Sequence, residues 1–114
     1  MKSEIMYIEC KAGGLSSNGK ICRVTFSKTG KTIIYRGLRL KSLKGHGYKS
    51  NYYNEGTGYE YWVSRPRKDG QDSLYPQKVS IDPDVSDEYW ETIRKLPENK
   101  DKLWFKSAGK YPKN

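Results

Sequence analysis

The chain contains few residues of the kinds that carry out catalysis. His46 is its one histidine, and it lies between Gly45 and Gly47. Imidazole titrates near neutral pH, so His46 could act as a general base. A lone histidine in a turn is more commonly structural, and no second base or nucleophile stands near it in the sequence. We therefore expect no catalytic residue and no enzymatic activity.

The patterns that could bind a metal ion are weak. Asp69 and Asp72 flank Gly70 in a polar loop, where two carboxylates could hold a hard cation. Aspartate in such loops more often accepts hydrogen bonds from its own turn. Cys10 and Cys22, with one distant histidine, cannot complete a four-ligand zinc site. The sequence predicts no metal, no cofactor and two reduced thiols on neighbouring strands, which would lie near each other if those strands pair.

The segment from Gly14 to Lys20 (GLSSNGK) approaches the GxxxxGK[ST] pattern of a phosphate-binding loop. Ile21 occupies the position of the Ser or Thr that would hold magnesium. The segment also precedes a predicted strand, whereas a phosphate loop precedes a helix. We therefore reject this interpretation.

Charge is the stronger signal. The chain has 114 residues and a net charge of +9, and ten Lys or Arg but no Asp or Glu lie between Lys11 and Tyr53. Residues 51–114 contribute no net charge. Such a regional excess indicates a positive face that could meet a polyanion or an acidic protein, although a solvated basic face that only maintains solubility shows the same pattern.

Tyrosines interleave with these basic residues. Sheets that bind single strands of nucleic acid use aromatic rings to stack bases and cations to contact the backbone. Tyrosine is also common in strands for packing reasons alone. Our hypothesis is RNA or single-stranded DNA binding, and the alternative is a protein-interaction module for an acidic partner. The phosphate contacts would come from Arg23, Arg36, Arg39, Lys41 and Lys49, and the stacking rings from Tyr48, Tyr52 and Tyr53.

The elements that must position these side chains are mostly strands. Residues 21–27 alternate apolar and polar side chains, and a short turn containing Gly30 joins them to residues 32–36 as a β-hairpin. Further strands are predicted at residues 4–11, 38–42, 48–53, 59–64 and 78–81. Pro76 precedes the last of these, which is typical of an edge strand.

One helix is predicted after these strands. Asp82 or Asp84 can cap it, and Pro83 suits its first turn. Its apolar stripe is Val85, Tyr89, Ile93 and Leu96, and Pro97 ends it.

The fold class is therefore mainly β (α+β), either a small antiparallel sheet or an SH3-like barrel with one C-terminal helix. Residues 1–114 form a single domain with a core of about 4–97, and residues 98–114 form a Lys-rich extension. Leu103, Trp104 and Phe105 are expected to dock on the domain.

Composition excludes several classes. Leu, Ile, Val and Phe total only 20 residues, but ten Tyr and three Trp argue against intrinsic disorder. No apolar run approaches the length of a membrane span, and the first residues lack the apolar region of a secretory signal. We therefore expect a cytoplasmic protein that does not bind membranes.

Five segments, in this order, resemble a group of small bacterial proteins of about this length: MYIECK (Met6–Lys11), CRVTFSKTGKTIIYRG (Cys22–Gly37), SLKGHGYKSNYY (Ser42–Tyr53), YWVSRPRKDGQDSLY (Tyr61–Tyr75) and IDPDVSDEYWETIRKLP (Ile81–Pro97). The resemblance covers residues 6–97 and departs at Arg65, where the pattern has Gly. Some members carry the label deoxyxylulose-phosphate synthase, but that enzyme needs a large thiamine-diphosphate fold that 114 residues cannot build. The group has no characterised function. The resemblance therefore implies an intracellular bacterial protein and carries over no site residue.

Overall fold

A computed structural model describes residues 2–11, 19–43, 50–73 and 76–109 of the chain. The strands of this part are β1 (Lys2–Cys10), β2 (Gly19–Phe26), β3 (Thr32–Tyr35), β4 (Leu38–Ser42), β5 (Tyr52–Asn54), β6 (Glu60–Ser64), β7 (Gln77–Ile81) and β8 (Trp104–Ser107). The C-terminal helix between β7 and β8 has a 3₁₀ first turn (Pro83–Val85), one α-helical turn (Ser86–Glu88) and a π-helical last turn (Tyr89–Ile93). A short 3₁₀ turn (Pro97–Asn99) follows. The predicted mainly-β class with one C-terminal helix is confirmed.

The first six strands close into an antiparallel barrel. Their order is β1-β6-β5-β4-β3-β2, and pairing of β1 with β2 completes the circle. The structure is thus a small SH3-like barrel, as the sequence predicted. β7 and β8 extend it: β7 pairs in parallel with β2 over 19–21, whereas β3 pairs with β2 only at 25–26. The start of β2 therefore belongs both to the barrel and to an open sheet.

β1 and β2 are buried on both faces, which separates two cores. In these two strands, residues of even number point into the barrel and residues of odd number point towards the helix. The barrel core contains Met6, Ile8, Cys22, Val24, Ile33, Leu40 and Val63. The second core, between the sheet and the helix, contains Ile5, Tyr7, Ile21, Val79, Ile81, Val85, Tyr89 and Trp90.

The helix packs as its stripe predicted but differs at both ends. Pro83 occupies its first turn, yet the Asp82 side chain makes no capping hydrogen bond, because its carboxylate binds Tyr35 instead. The helix ends at Ile93, before the predicted stop at Pro97, and Lys95 follows in a left-handed conformation with φ of 55°.

The segment predicted to be a Lys-rich extension contributes β8, which pairs antiparallel with β7. Only Phe105 of its apolar cluster docks: the ring lies 5.8 Å from Tyr89 and 5.7 Å from Trp90 between centroids. Leu103 and Trp104 remain exposed. The expectation that all three dock was wrong. Trp104 points away from the helix, because neighbouring residues of a strand face opposite sides, and Leu103 precedes β8 with its side chain 45% exposed. β7 consequently lies inside the sheet, and β8 forms the edge.

The β2–β3 hairpin is confirmed, with Gly30 at φ of 74° and its N–H donated to the Ser27 carbonyl. The strand predicted at residues 48–53 begins only at Tyr52 where the structure describes it. Residues 44–49, which include His46, lie outside the described residues.

Cys10 and Cys22 lie on paired strands and are both free thiols. Met6 stands opposite Cys22, so Cys10 is offset along β1 by four residues, or about 13 Å. They are therefore not neighbours. Burial, with Asp82 nearby, raises the pKa of the Cys22 thiol to about 12, which makes it unreactive at neutral pH.

Candidate nucleic-acid interface

The structure separates the side chains that were predicted to form one nucleic-acid surface. Arg23, Arg39, Lys41 and Tyr53 lie on the outside of the barrel. Arg23 forms an ion pair of 2.8 Å with Glu88 of the helix. Lys41 similarly pairs with Glu55 at 2.8 Å between charged atoms. Carboxylates thus accompany the cations on this side and reduce its positive potential.

Tyr52, predicted from the sequence as a stacking residue, lies on the inner side of β5 and is partly buried. Its ring packs against the barrel core, and its hydroxyl donates to the Gly30 carbonyl at 3.4 Å. Tyr53, its neighbour, points outwards opposite Lys41. Tyr48 and Lys49 lie outside the described residues.

Arg36 lies apart from the others, in the turn between β3 and β4 at one mouth of the barrel. Its φ of 47° is in the left-handed region that side chains rarely adopt. The guanidinium is 3.4 Å from the Asp82 carboxylate, and Lys20 is 3.7 Å from the same group. Both cations also approach the Tyr35 ring, at 5.6 Å and 5.9 Å from its centroid.

Asp82 is the anchor of this mouth. Its carboxylate is almost fully buried and accepts a hydrogen bond of 2.6 Å from the Tyr35 hydroxyl. Burial and this bond to Asp82 raise the pKa of Tyr35, which keeps the hydroxyl protonated as a donor. One carboxylate thus faces two cations, Lys20 and Arg36, whose side chains are 43% and 66% exposed.

β7 and β8 continue this positive surface away from the barrel. In the register of the sheet, Lys20 of β2 stands beside Ser80 of β7, and Ser80 stands beside Trp104 of β8. Residues paired across a sheet share a face, so these side chains form one row. Lys78 and Lys106 form the next row on that face. We call Lys20, Arg36, Lys78, Trp104 and Lys106 the basic face.

Trp104 is the exposed aromatic residue of this face. Its side chain is 54% exposed, whereas Trp90 is buried in the core. The Lys78 ammonium lies 4.8 Å from the indole centroid, in cation–π contact. Large aromatic rings exposed to this degree beside several cations are typical of binding surfaces.

Sequence analysis missed four members of the basic face: Lys20, Lys78, Trp104 and Lys106. The sequence of β8 carries no strand signal, since residues 104–107 (WFKS) alternate exposed and packed side chains in the structure but do not alternate apolar and polar residues. The parallel pairing of β7 with β2, which brings Lys20 to this face, had no local signal.

A buried polar network lies on the other side of the sheet and is fully explained by packing. Glu9 accepts hydrogen bonds from the Tyr7 hydroxyl at 2.6 Å and the Gln77 amide at 3.0 Å, and it pairs with Lys11. The Tyr7 ring crosses β2 at Gly19, where an added Cβ would lie 2.3 Å from the ring. These bonds satisfy the carboxylate and give it a structural role.

The Asp69–Asp72 loop forms turn hydrogen bonds, which the sequence interpretation favoured over a metal site. Asp69 accepts from the Gln71 backbone N–H at 2.9 Å, and Asp72 accepts from the Arg67 backbone N–H at 2.7 Å. Within the described residues no group of His, Cys, Asp and Glu side chains is arranged to hold a metal ion. None of the helices in that same part of the chain is long and apolar enough to cross a bilayer.

Comparison with family models, with curated proteins and with solved structures finds no match to this chain. The resemblance of residues 6–97 to small bacterial proteins, and the cytoplasmic location, stay predictions. Function is therefore inferred from the geometry of the basic face.

Proposed function

We propose that the protein binds single-stranded RNA or DNA on the basic face. The observation that carries the proposal is the row Lys20–Ser80–Trp104, which sets an exposed indole on the same surface as the cations. A base would stack on the indole, and the cations would contact phosphates. This retains the function expected from the sequence but relocates it, with Arg36 alone kept from the original residues.

The geometry favours a single strand over a duplex. Strands in a sheet are about 4.8 Å apart, so Lys20 and Trp104 lie roughly 10 Å from each other across β7. This surface is a shallow sheet face with one aromatic platform, and a base can reach such a platform only when it is unstacked from a partner strand.

The experiment is fluorescence anisotropy with labelled single-stranded RNA, single-stranded DNA and duplex DNA. We expect Trp104→Ala to weaken single-strand binding about 10- to 100-fold, since stacking of a base contributes about 1–3 kcal/mol. Leu103→Ala is the matched control, because Leu103 is also exposed but precedes β8 on the opposite face.

Salt dependence provides a second readout. With about three or four phosphate contacts, the logarithm of the association constant should fall with that of salt concentration with a slope of about −2 to −3. Equal binding of all three nucleic acids by wild type and Trp104→Ala would refute the proposal and leave a generic polycation.

A further inference from the structure

The edge of the sheet has unused hydrogen-bonding capacity at β8. The Ile81 N–H donates to the Leu103 carbonyl at 2.8 Å, so residues 103, 105 and 107 direct their backbone groups towards β7. Trp104 and Lys106 therefore direct their N–H and C=O groups away from the sheet. Among the described residues, none forms a backbone hydrogen bond with these groups.

A groove runs beside this free edge. Its volume is about 640 Å³, and its apolar wall is formed by Trp90, Leu103, Trp104 and Phe105. The Trp90 indole N–H donates to the Lys102 carbonyl at 2.9 Å, which holds the chain against the helix just before β8 begins. The groove is thus a rigid cleft bordered by an open strand edge.

The charge of the groove is positive. Arg94, Lys102 and Lys106 line it together with one acidic residue, Asp101. The Arg94 guanidinium lies 4.9 Å from the Phe105 centroid and 5.0 Å from that of Trp90, and its buried Nε has no hydrogen-bond partner in the described part of the chain. A second copy of the chain would place two such lysine-bearing edges together, which like charges disfavour.

We propose that an acidic, extended peptide segment of a partner protein adds to β8 as a further strand. Its backbone pairs with Trp104 and Lys106, its apolar side chains enter the groove, and its carboxylates meet Lys102 and Lys106. Both proposals use the Lys106 side chain, but only the peptide proposal needs the outward backbone groups of β8, so either proposal can fail alone.

The test uses a synthetic peptide of alternating Glu and Val, with Lys106→Pro and Lys106→Ala as matched variants. Both variants remove the charge, but only proline removes the outward N–H, and it leaves the bonds to β7 intact. We expect Lys106→Pro to bind the peptide at least 10-fold more weakly than Lys106→Ala. Hydrogen exchange at the Trp104 amide should slow when the peptide binds wild-type protein.

Two controls keep the test decisive. If Lys106→Pro does not fold, wild type is tested with the same peptide methylated on alternate backbone nitrogens. It should bind the methylated peptide at least 10-fold more weakly than the unmethylated one. The proposal is overturned if wild type binds the methylated peptide, or a peptide of alternating Lys and Val, as tightly as it binds the Glu/Val peptide. Equal affinity of folded Lys106→Pro and Lys106→Ala for the Glu/Val peptide also overturns it. Oligonucleotide binding should be the same in both Lys106 variants, which separates this result from the proposed function.

Discussion

In the proposed function, Arg36 serves binding at the expense of stability. Its left-handed backbone, with φ of 47°, suits glycine better than arginine, and Gly37 beside it has φ of 84°. Backbone strain of this kind is found most often at functional sites. The strain places a mostly exposed guanidinium at the barrel mouth, next to Lys20 and Asp82.

We therefore predict that Arg36→Gly raises the stability of the protein and lowers its affinity for single strands. The free energy of unfolding should rise by about 1 kcal/mol, since glycine relieves the strain. Single-strand affinity should fall, and the salt slope should become shallower by about 0.7, the contribution of one phosphate contact. Chemical denaturation and anisotropy measure the two quantities.

Lys95→Gly is the matched control for Arg36→Gly, because Lys95 has a φ of 55° at the end of the helix, away from the basic face. It should stabilise the protein by a similar amount and leave affinity unchanged. Loss of affinity in both variants, or in neither, would contradict a binding role for Arg36.

At the scale of elements, β8 links the helix to the basic face. Phe105 points to the helix and stacks with Tyr89, while its neighbours Trp104 and Lys106 point the other way. The packing of one side chain therefore holds the two exposed ones in position.

Phe105→Ala tests this link. We expect a loss of about 2–4 kcal/mol in stability, because the substitution opens a cavity between Tyr89, Trp90 and Arg94. Single-strand affinity should fall as well, although Phe105 does not itself face the ligand. Leu103→Ala, an exposed neighbour, should change stability by less than about 0.5 kcal/mol. A comparable loss for both in thermal denaturation would show that Phe105 is no anchor.

The sequence predicted elements well where the signal was local. The alternation of residues 21–27, the turn at Gly30 and the helical stripe from Val85 to Leu96 each depend on neighbouring residues, and each was confirmed. The basic face depends on contacts between distant segments. Lys20 and Ser80 meet through a parallel pairing across sixty residues, which no local pattern specifies.

The positions of the predicted site residues could not be read from the sequence for a related reason. Tyr52 and Tyr53 are adjacent and chemically identical, yet the pleat sends one into the barrel and the other outwards. A shift of one residue in the assumed register exchanges their roles. Likewise, the ion pairs of Arg23 and Lys41 join elements whose packing the sequence does not reveal.

Across the whole molecule, the two cores share β1 and β2, so the barrel and the helix layer stabilise each other. The loop before β7 packs against this structure. Gly70 lies so close to the Arg94 guanidinium that an added Cβ would be 2.4 Å from Nη1. In the same loop Asp72 is buried, and no described residue forms a hydrogen bond with its Oδ2.

The burial of Asp72 gives the stability of the whole protein an unusual pH dependence. Burial, helped by the Asp69 charge, raises the pKa of its carboxyl group to about 6, although the Arg67 backbone N–H and the Arg67 and Arg94 charges act to lower it. Because the folded pKa exceeds the unfolded value of about 3.9, the native state binds more protons between these two values. Stability should therefore fall as pH rises from about 4 to 6.

We predict that Asp72→Asn removes this slope. Asparagine keeps an oxygen to accept the Arg67 N–H but cannot ionise, so the variant should exceed wild type by about 1–2 kcal/mol at pH 7.5 and show little difference at pH 4. Urea denaturation across this pH range provides the measurement. Asp69→Asn is the control, because Asp69 is exposed and its pKa is lowered by Arg67, which gives the opposite sign. If the stability of wild type and that of Asp72→Asn change by the same amount between pH 4 and pH 6, Asp72 is ionised without cost in the folded protein.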